Sequence, residues 1–231
     1  IKMAYDFLGL VNDVNHRLNE VALTSSNFAA ASGYYSIAKD AVNSAIRHIQ
    51  QEEFEWPWNH VQSEIVLGVG SMKYYYPTDA KTINMNSFRI KRDNSLGVGT
   101  EKLKNLVYEE WLEKYADDEF NTDTSIRGVP THIVRTPSRE LICHPVPDKA
   151  YTIVYEYYSM GYDLENALDV PSLPQQYRFA IVDGAMYYAF QFRGDTSAAD
   201  VALRKFEKQI KDLRTININR TPYIRDTRVH F

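Results

Sequence analysis

Between Gly128 and Phe190 the apolar period of the chain changes once, and that change constrains the fold more than any other feature. Two β-like runs, Thr131–Thr136 and Glu140–Val146, flank Pro137-Ser138, a turn signal at hairpin spacing. After the break Pro145 to Asp148, the run Tyr151–Tyr158 sets Tyr151, Ile153, Tyr155 and Tyr157 on one face of a strand. A loop leads to Pro171 and Pro174, and then Phe179, Val182, Met186 and Phe190 recur at helical spacing. Proline suits that entrance, because the first amides of a helix have no intrahelical acceptor. A small β unit therefore returns the chain to a helix.

The remaining helices are read from the same period. Leu10, Val14, Leu18 and Val21 predict an amphipathic helix over residues 6–23, with Asn12, Asp13, Asn15, His16, Arg17, Asn19 and Glu20 turned outward. A second, from about Tyr35 to Gln51, lines up Ala38, Ala41, Ala45 and Ile49 beside Val42 and Ile46, a small-residue seam that permits close packing. It ends before Glu52-Glu53-Phe54-Glu55-Trp56-Pro57-Trp58, since the residue before proline is driven from the helical region. Those tryptophans are read as rings capping a helical core at a domain boundary, with a partner-binding role as the alternative. The third helix, about Gln175–Arg193, is apolar on most sides, and Asp183 within it bonds across the bundle or points outward. In the fourth, Ala199, Ala202, Phe206, Ile210 and Leu213 share a face, with Arg204, Lys205, Lys208 and Lys211 outside.

Between the second and third helices the pattern is β. Glu64–Val69, Met72–Tyr76 and Ile83–Lys91 read as strands, although Met85 and Ile90 share a face only through a bulge. Leu103–Tyr108 is a further short strand, followed by a short helix at Tyr108–Tyr115. The expected fold is α+β: a four-helix bundle with a β-sandwich or barrel-like domain inserted between helices two and three, and an extended C-terminal arm. The expected divisions are residues 1–60 and 171–213 for the two halves of the bundle, 61–170 for the β domain, and 214–231 for the arm.

The matching residues come in a fixed order along the chain. Gly70, Tyr74, Pro77 and Asp79 precede Ser87-Phe88-Arg89-Ile90-Lys91-Arg92 and Tyr108-Glu109-Glu110-Trp111. Val129-Pro130, Pro145-Val146-Pro147-Asp148 and Tyr151-Thr152 follow, then Asp169-Val170-Pro171, Pro174, Tyr177, Ile181-Val182 and Ala185. This series resembles the head-to-tail adaptor (connector) proteins of tailed bacteriophages, most nearly the tail tubular protein A group of short-tailed phages. The resemblance implies a structural virion protein at the head–tail interface, assembled in the host cytoplasm. It implies a homo-oligomeric ring, a dodecamer, that docks on the portal protein, carries the tail nozzle protein and lines the DNA ejection channel. It implies no enzyme activity.

The residues bear on that expectation one group at a time. The net charge of −4 argues against general binding through phosphate neutralisation and suits a protein that DNA passes without specific binding. Glu109, Glu110, Glu113, Asp117, Asp118 and Glu119 form an acidic run, read as a solvated loop or as a negative channel or rim beside passing DNA. The last residues carry Arg214, Arg220, Arg225 and Arg228 with apolar Tyr223, Ile224 and Phe231, too apolar for a purely solvated tail. By resemblance this arm docks on the portal or another partner, and its charge points to an acidic groove; a frayed tail is the alternative. The seventeen tyrosines supply contact area with polar tips, at interfaces or in the core.

Enzymatic readings find little support. Neither phosphate-cradling nor dinucleotide glycine motifs occur, nor does H-E-x-x-H, and the six histidines do not pair at metal-ligand spacing. Hence no cofactor and no metal are expected. A hydrolase using Cys143 with His144 is disfavoured, because neighbours in a strand face opposite ways, and Cys143 falls in phase with Leu141 as a buried residue. A tail-completion or tail-tube protein is the other alternative, and the flanking helices count against an all-β tube. The opening residues lack a leader's apolar region, no apolar run is long enough to span a membrane, and a lone cysteine fits a reducing compartment.

Overall fold

The computed structural model describes residues 5–53, 55–94, 97–121 and 123–218. In chain order these form α1 (Phe7–Arg17) and α2 (Tyr34–Glu52), then strands β1 (His60–Leu67), β2 (Lys73–Tyr75), β3 (Ala80–Ile83), β4 (Arg89–Asn94), β5 (Gly97–Lys102) and β6 (Lys104–Leu106). The short α3 (Tyr108–Tyr115) precedes β7 (His132–Arg135), β8 (Glu140–His144) and β9 (Tyr151–Ser159), and α4 (Arg178–Arg193) and α5 (Thr196–Asn217) close the order. The fold is mixed α+β. The chain divides into two compact units, Ile1–Asn59 with Gly161–Phe231, and His60–Met160.

In the helical unit α4 packs against α1, α2 and α5, which is why it is apolar nearly all round. Ala180, Ile181, Val182, Gly184, Ala185, Met186 and Ala189 are all buried along it. The alanine seam of α2 meets it where Ala45 approaches Gly184. The α4–α5 corner turns on Gly194, whose φ of 74° is costly for residues with a Cβ. There the N–H groups of Gly194 and Asp195 donate to the carbonyls of Gln191 and Phe190. Asp195 then caps α5 by accepting from the Ala198 N–H at 3.0 Å. The tryptophans cap this core as expected: Trp56 is fully buried, donates to the Ile49 carbonyl at 2.7 Å, and stacks on Trp58.

The first helix is shorter than its period suggests. It stops at Arg17, with Leu18 as its cap and Asn19 at a φ of 57°. Asn tolerates that left-handed turn by bonding its own backbone. Val21 consequently stands 74% exposed, outside any helix. Asn12 and Asn15, expected outward, are buried instead. Residues 161–170, grouped with the β region on sequence, belong to the helical unit, and α5 runs past Leu213 to Asn217.

In the β unit, β9 is central. It pairs antiparallel with β1, β3 and β4, and β5 extends the sheet beyond β4. Tyr151, Ile153, Tyr155 and Tyr157 all face the core, so the alternation read from the sequence holds. The second sheet runs β2–β8–β7–β6, with the β6–β7 pair parallel and the others antiparallel. One cluster takes Leu67, Ile90 and the β9 residues from the first sheet, Phe88 from the connection before β4, and Ile133, Leu141 and Cys143 from the second. Val134 and Ile142 project from the opposite face of the second sheet into a cluster with Trp111 of α3. Among the described residues neither sheet closes on itself, so the barrel-like option is set aside. The run Ile83–Lys91 is two strands, not one bulged strand. A turn held by Ser87 N–H to the Asn84 carbonyl, 3.0 Å, separates them. Among the described residues no helix is long and apolar enough to cross a membrane.

Candidate functional site

The acidic run does not form a continuous bare rim. Glu109, Glu110 and Glu113 lie on α3, which turns Trp111 inward, stacked on Tyr108. Asp117, Asp118 and Glu119 follow in a 3-10 turn, Ala116–Glu119. Glu110 pairs with Lys114 at 2.6 Å, and Glu119 pairs with Lys73. The Glu119 hydrogen bond holds the Lys73 ammonium above its ordinary pKa. Asp118 lies 3.7 Å from His144 Nδ1. Glu109, Glu113 and Asp117 remain exposed.

Of the candidate docking residues in the arm, Arg214 is the one described. It belongs to the last turn of α5 and reaches Glu52 Oε2 at 2.9 Å and Glu53 Oε2 at 3.8 Å. It therefore anchors α5 to the end of α2 instead of beginning an extended segment. Arg220, Tyr223, Ile224, Arg225, Arg228 and Phe231 lie outside the described residues.

Cys143 is 1% exposed, and burial pushes its thiol up to about 12. A thiol held protonated in an apolar cluster is a poor nucleophile. Its neighbour His144 points elsewhere, its ring 4.1 Å from that of Tyr115. Strand register sets His132 opposite His144, a pairing that spacing along the chain does not reveal. Burial lowers the pKa of His144, Asp118 opposes that shift and His132 adds to it.

The features that sequence reading missed lie on the helical unit. Asp183 bonds across the helices and does not point free into solvent: it accepts from Arg17 of α1 and from Gln209 of α5. On either side of this bridge an apolar groove follows the α4–α5 seam. One stretch, about 500 Å³, is lined by Met186, Phe190, Ala198, Val201 and Ala202. The other is lined by Phe179, Ala180, Leu213 and Ile216. Phe179, Val201 and Ile216 are 62%, 55% and 70% exposed. A second exposed apolar group, Tyr162, Leu168 and Val170, stands on the loop before α4. Such surfaces carry binding more often than chemistry.

No curated protein matches the chain. Among protein families, the SU10 adaptor protein matches over residues 5–228, nearly the whole chain and both compact units. The chain therefore belongs to the SU10 adaptor protein family, a family of bacteriophage head-to-tail adaptors.

Proposed function

We propose that this adaptor is a structural virion protein of the tail tubular protein A kind, which forms a dodecameric ring, docks on the portal protein and joins it to the tail nozzle. The family match over residues 5–228 carries the reading. In it the four long helices form one bundle, the two sheets an inserted sandwich, and the ring lines the channel through which DNA is ejected. Assembly takes place in the host cytoplasm and the product sits at the head–tail interface. No catalysis is assigned. A net charge of −4, with Glu109, Glu113 and Asp117 exposed, supports passage of DNA without capture. The exposed apolar groove and loop of the helical unit support side-by-side contact between copies, as a closed ring of heterologous interfaces requires.

Residues 219–231, with Arg220, Tyr223, Ile224, Arg225, Arg228 and Phe231, are assigned to docking on the portal. The test is particle mass with the cognate portal, comparing the full chain with one ending at Ile218. That truncation keeps all of α5 and the Arg214 anchor. The full chain should add a ring's mass to the portal and the truncated chain should not. Equal addition by both would remove the docking role of the last residues. Binding by neither would overturn the portal-side placement.

A further inference from the structure

The helical unit carries two exposed apolar surfaces of opposite charge, and they lie on different elements. The first is the stretch of the α4–α5 groove around Val201. Lys205 stands at its lip, the one charge of its lining outside the Arg17–Asp183 pair; the same helix also exposes Arg204 and Lys208, with the carboxylates of Asp200 and Glu207 among them. Lys205 is not ion-paired among the described residues. Arg17 and Asp183, which also line the groove, pair with each other.

The second surface is the loop 161–170, which reads GYDLENALDV: three carboxylates and no cation. Tyr162 and Leu168 project from it, 62% and 76% exposed. Its own bonds run to α2 and to the first turn of α1. The Phe7 and Leu8 N–H groups donate to the carbonyls of Asp169 and Ala167, and Arg47 forks onto Asp163 at 2.7 and 2.8 Å. The Asp169 carboxylate accepts from the N–H groups of Glu165 and Asn166. That leaves the exposed Glu165 carboxylate without an ion-pair partner among the described residues. The loop is thus fixed in place and presents apolar side chains beside a free negative charge.

We propose that the 161–170 loop of one copy seats in the α4–α5 groove of the next, with Leu168 against Val201 and Glu165 facing Lys205. Neither surface suits itself: two loops would oppose carboxylates, and two grooves would oppose lysines. Each suits the other in charge and in apolar character. An interface between two different patches of one subunit is head-to-tail, and it gives a ring when its rotation closes and an open filament when it does not. The inference rests on the ring reading above and names the surfaces through which that ring would form.

Single cysteines test the pairing, because the native Cys143 is 1% exposed and does not compete. Leu168→Cys and Val201→Cys are made separately in the full chain and assembled with the cognate portal under a mild oxidant. A mixture of the two variants should yield a disulfide-linked dimer, and either variant alone should not. An assembled ring without a cross-link in the mixture would overturn this pairing and leave the ring reading standing. Monomers throughout, for the unsubstituted chain as well, would overturn both. If a cysteine variant itself prevents assembly, a charge swap decides. Glu165→Lys and Lys205→Glu should each weaken assembly, with the double variant restored; a double variant as weak as the singles would overturn the pairing.

Discussion

Asn43 and Leu164 are joined by two reciprocal hydrogen bonds: Asn43 Nδ2 donates to the Leu164 carbonyl at 2.9 Å, and the Leu164 N–H donates to Asn43 Oδ1 at 3.0 Å. Asn12 treats Leu23 the same way, at 2.9 and 2.7 Å. In each pair a helical asparagine satisfies the backbone of a buried leucine that has no strand or helix of its own. Asn43→Ala would strand a buried N–H and a buried carbonyl together, so it should destabilise the protein by about 2–4 kcal/mol. Asn12→Ala should have a similar effect. Chemical denaturation followed by far-UV dichroism measures both; a loss below about 0.5 kcal/mol at Asn43 would mean that water replaces the side chain.

Gly184 of α4 faces both Phe206 of α5 and Ala45 of α2 at close range. A Cβ there would come 2.7 Å from the Phe206 ring and 2.9 Å from the Ala45 methyl. Gly184→Ala gains about 1 kcal/mol of helix propensity. The overlap outweighs it, because overpacking a close-packed interior costs about 1–3 kcal/mol. Net destabilisation is the expected result of a thermal melt, and Phe206→Leu in the same chain should recover part of it. A stabilised Gly184→Ala protein would show that the helices move apart freely.

Cys143 offers a probe of global opening. It is the one cysteine in the chain, and it is buried in a cluster with Leu141 and with Ile133, its partner across the strand pair. Burial removes the thiolate at neutral pH, so a thiol reagent should label the native protein slowly, at a rate that tracks unfolding. In denaturant one thiol per chain should react at once. Rapid stoichiometric labelling of the native protein would contradict the burial and reopen the nucleophile reading.

What the sequence could convey is visible by comparing β9 with α1. Tyr151, Ile153, Tyr155 and Tyr157 alternate because one face of β9 is buried, and that regularity is local. The faces of α2 and α5 were legible for the same reason. The end of α1 was not: Val21 keeps the helical period by coincidence, while Asn19 turns the chain away. Asn12 and Asn43 are polar residues whose partners lie in irregular segments, that of Asn43 far along the chain, so periodicity alone does not predict their burial. The loop 161–170 follows the helical unit because Asn43 and Arg47 hold it there, which spacing does not encode. The same holds for the candidate surface. The period of α5 puts its cations outside, where they stand exposed, but the groove beside them exists only once α4 and α5 are paired.

His144 makes stability depend on pH. Its ring packs on Tyr115 and is buried enough that desolvation lowers its pKa below the ordinary 6.5; Asp118 partly opposes the shift, and His132 reinforces it. A lowered folded-state value means that the unfolded chain binds the proton more tightly. The contribution of neutral His144 is therefore present above about pH 6.5 and is lost as the pH falls through the folded-state value. His144→Gln removes the titration while keeping a polar side chain of similar reach. Between pH 7.5 and pH 5.5 the wild type should lose more stability than the variant, as measured by denaturant midpoints at matched ionic strength. Parallel losses would assign the acid sensitivity to other groups. A steeper loss in the variant would reverse the sign, meaning that Asp118 dominates and the protonated ring is the favoured form.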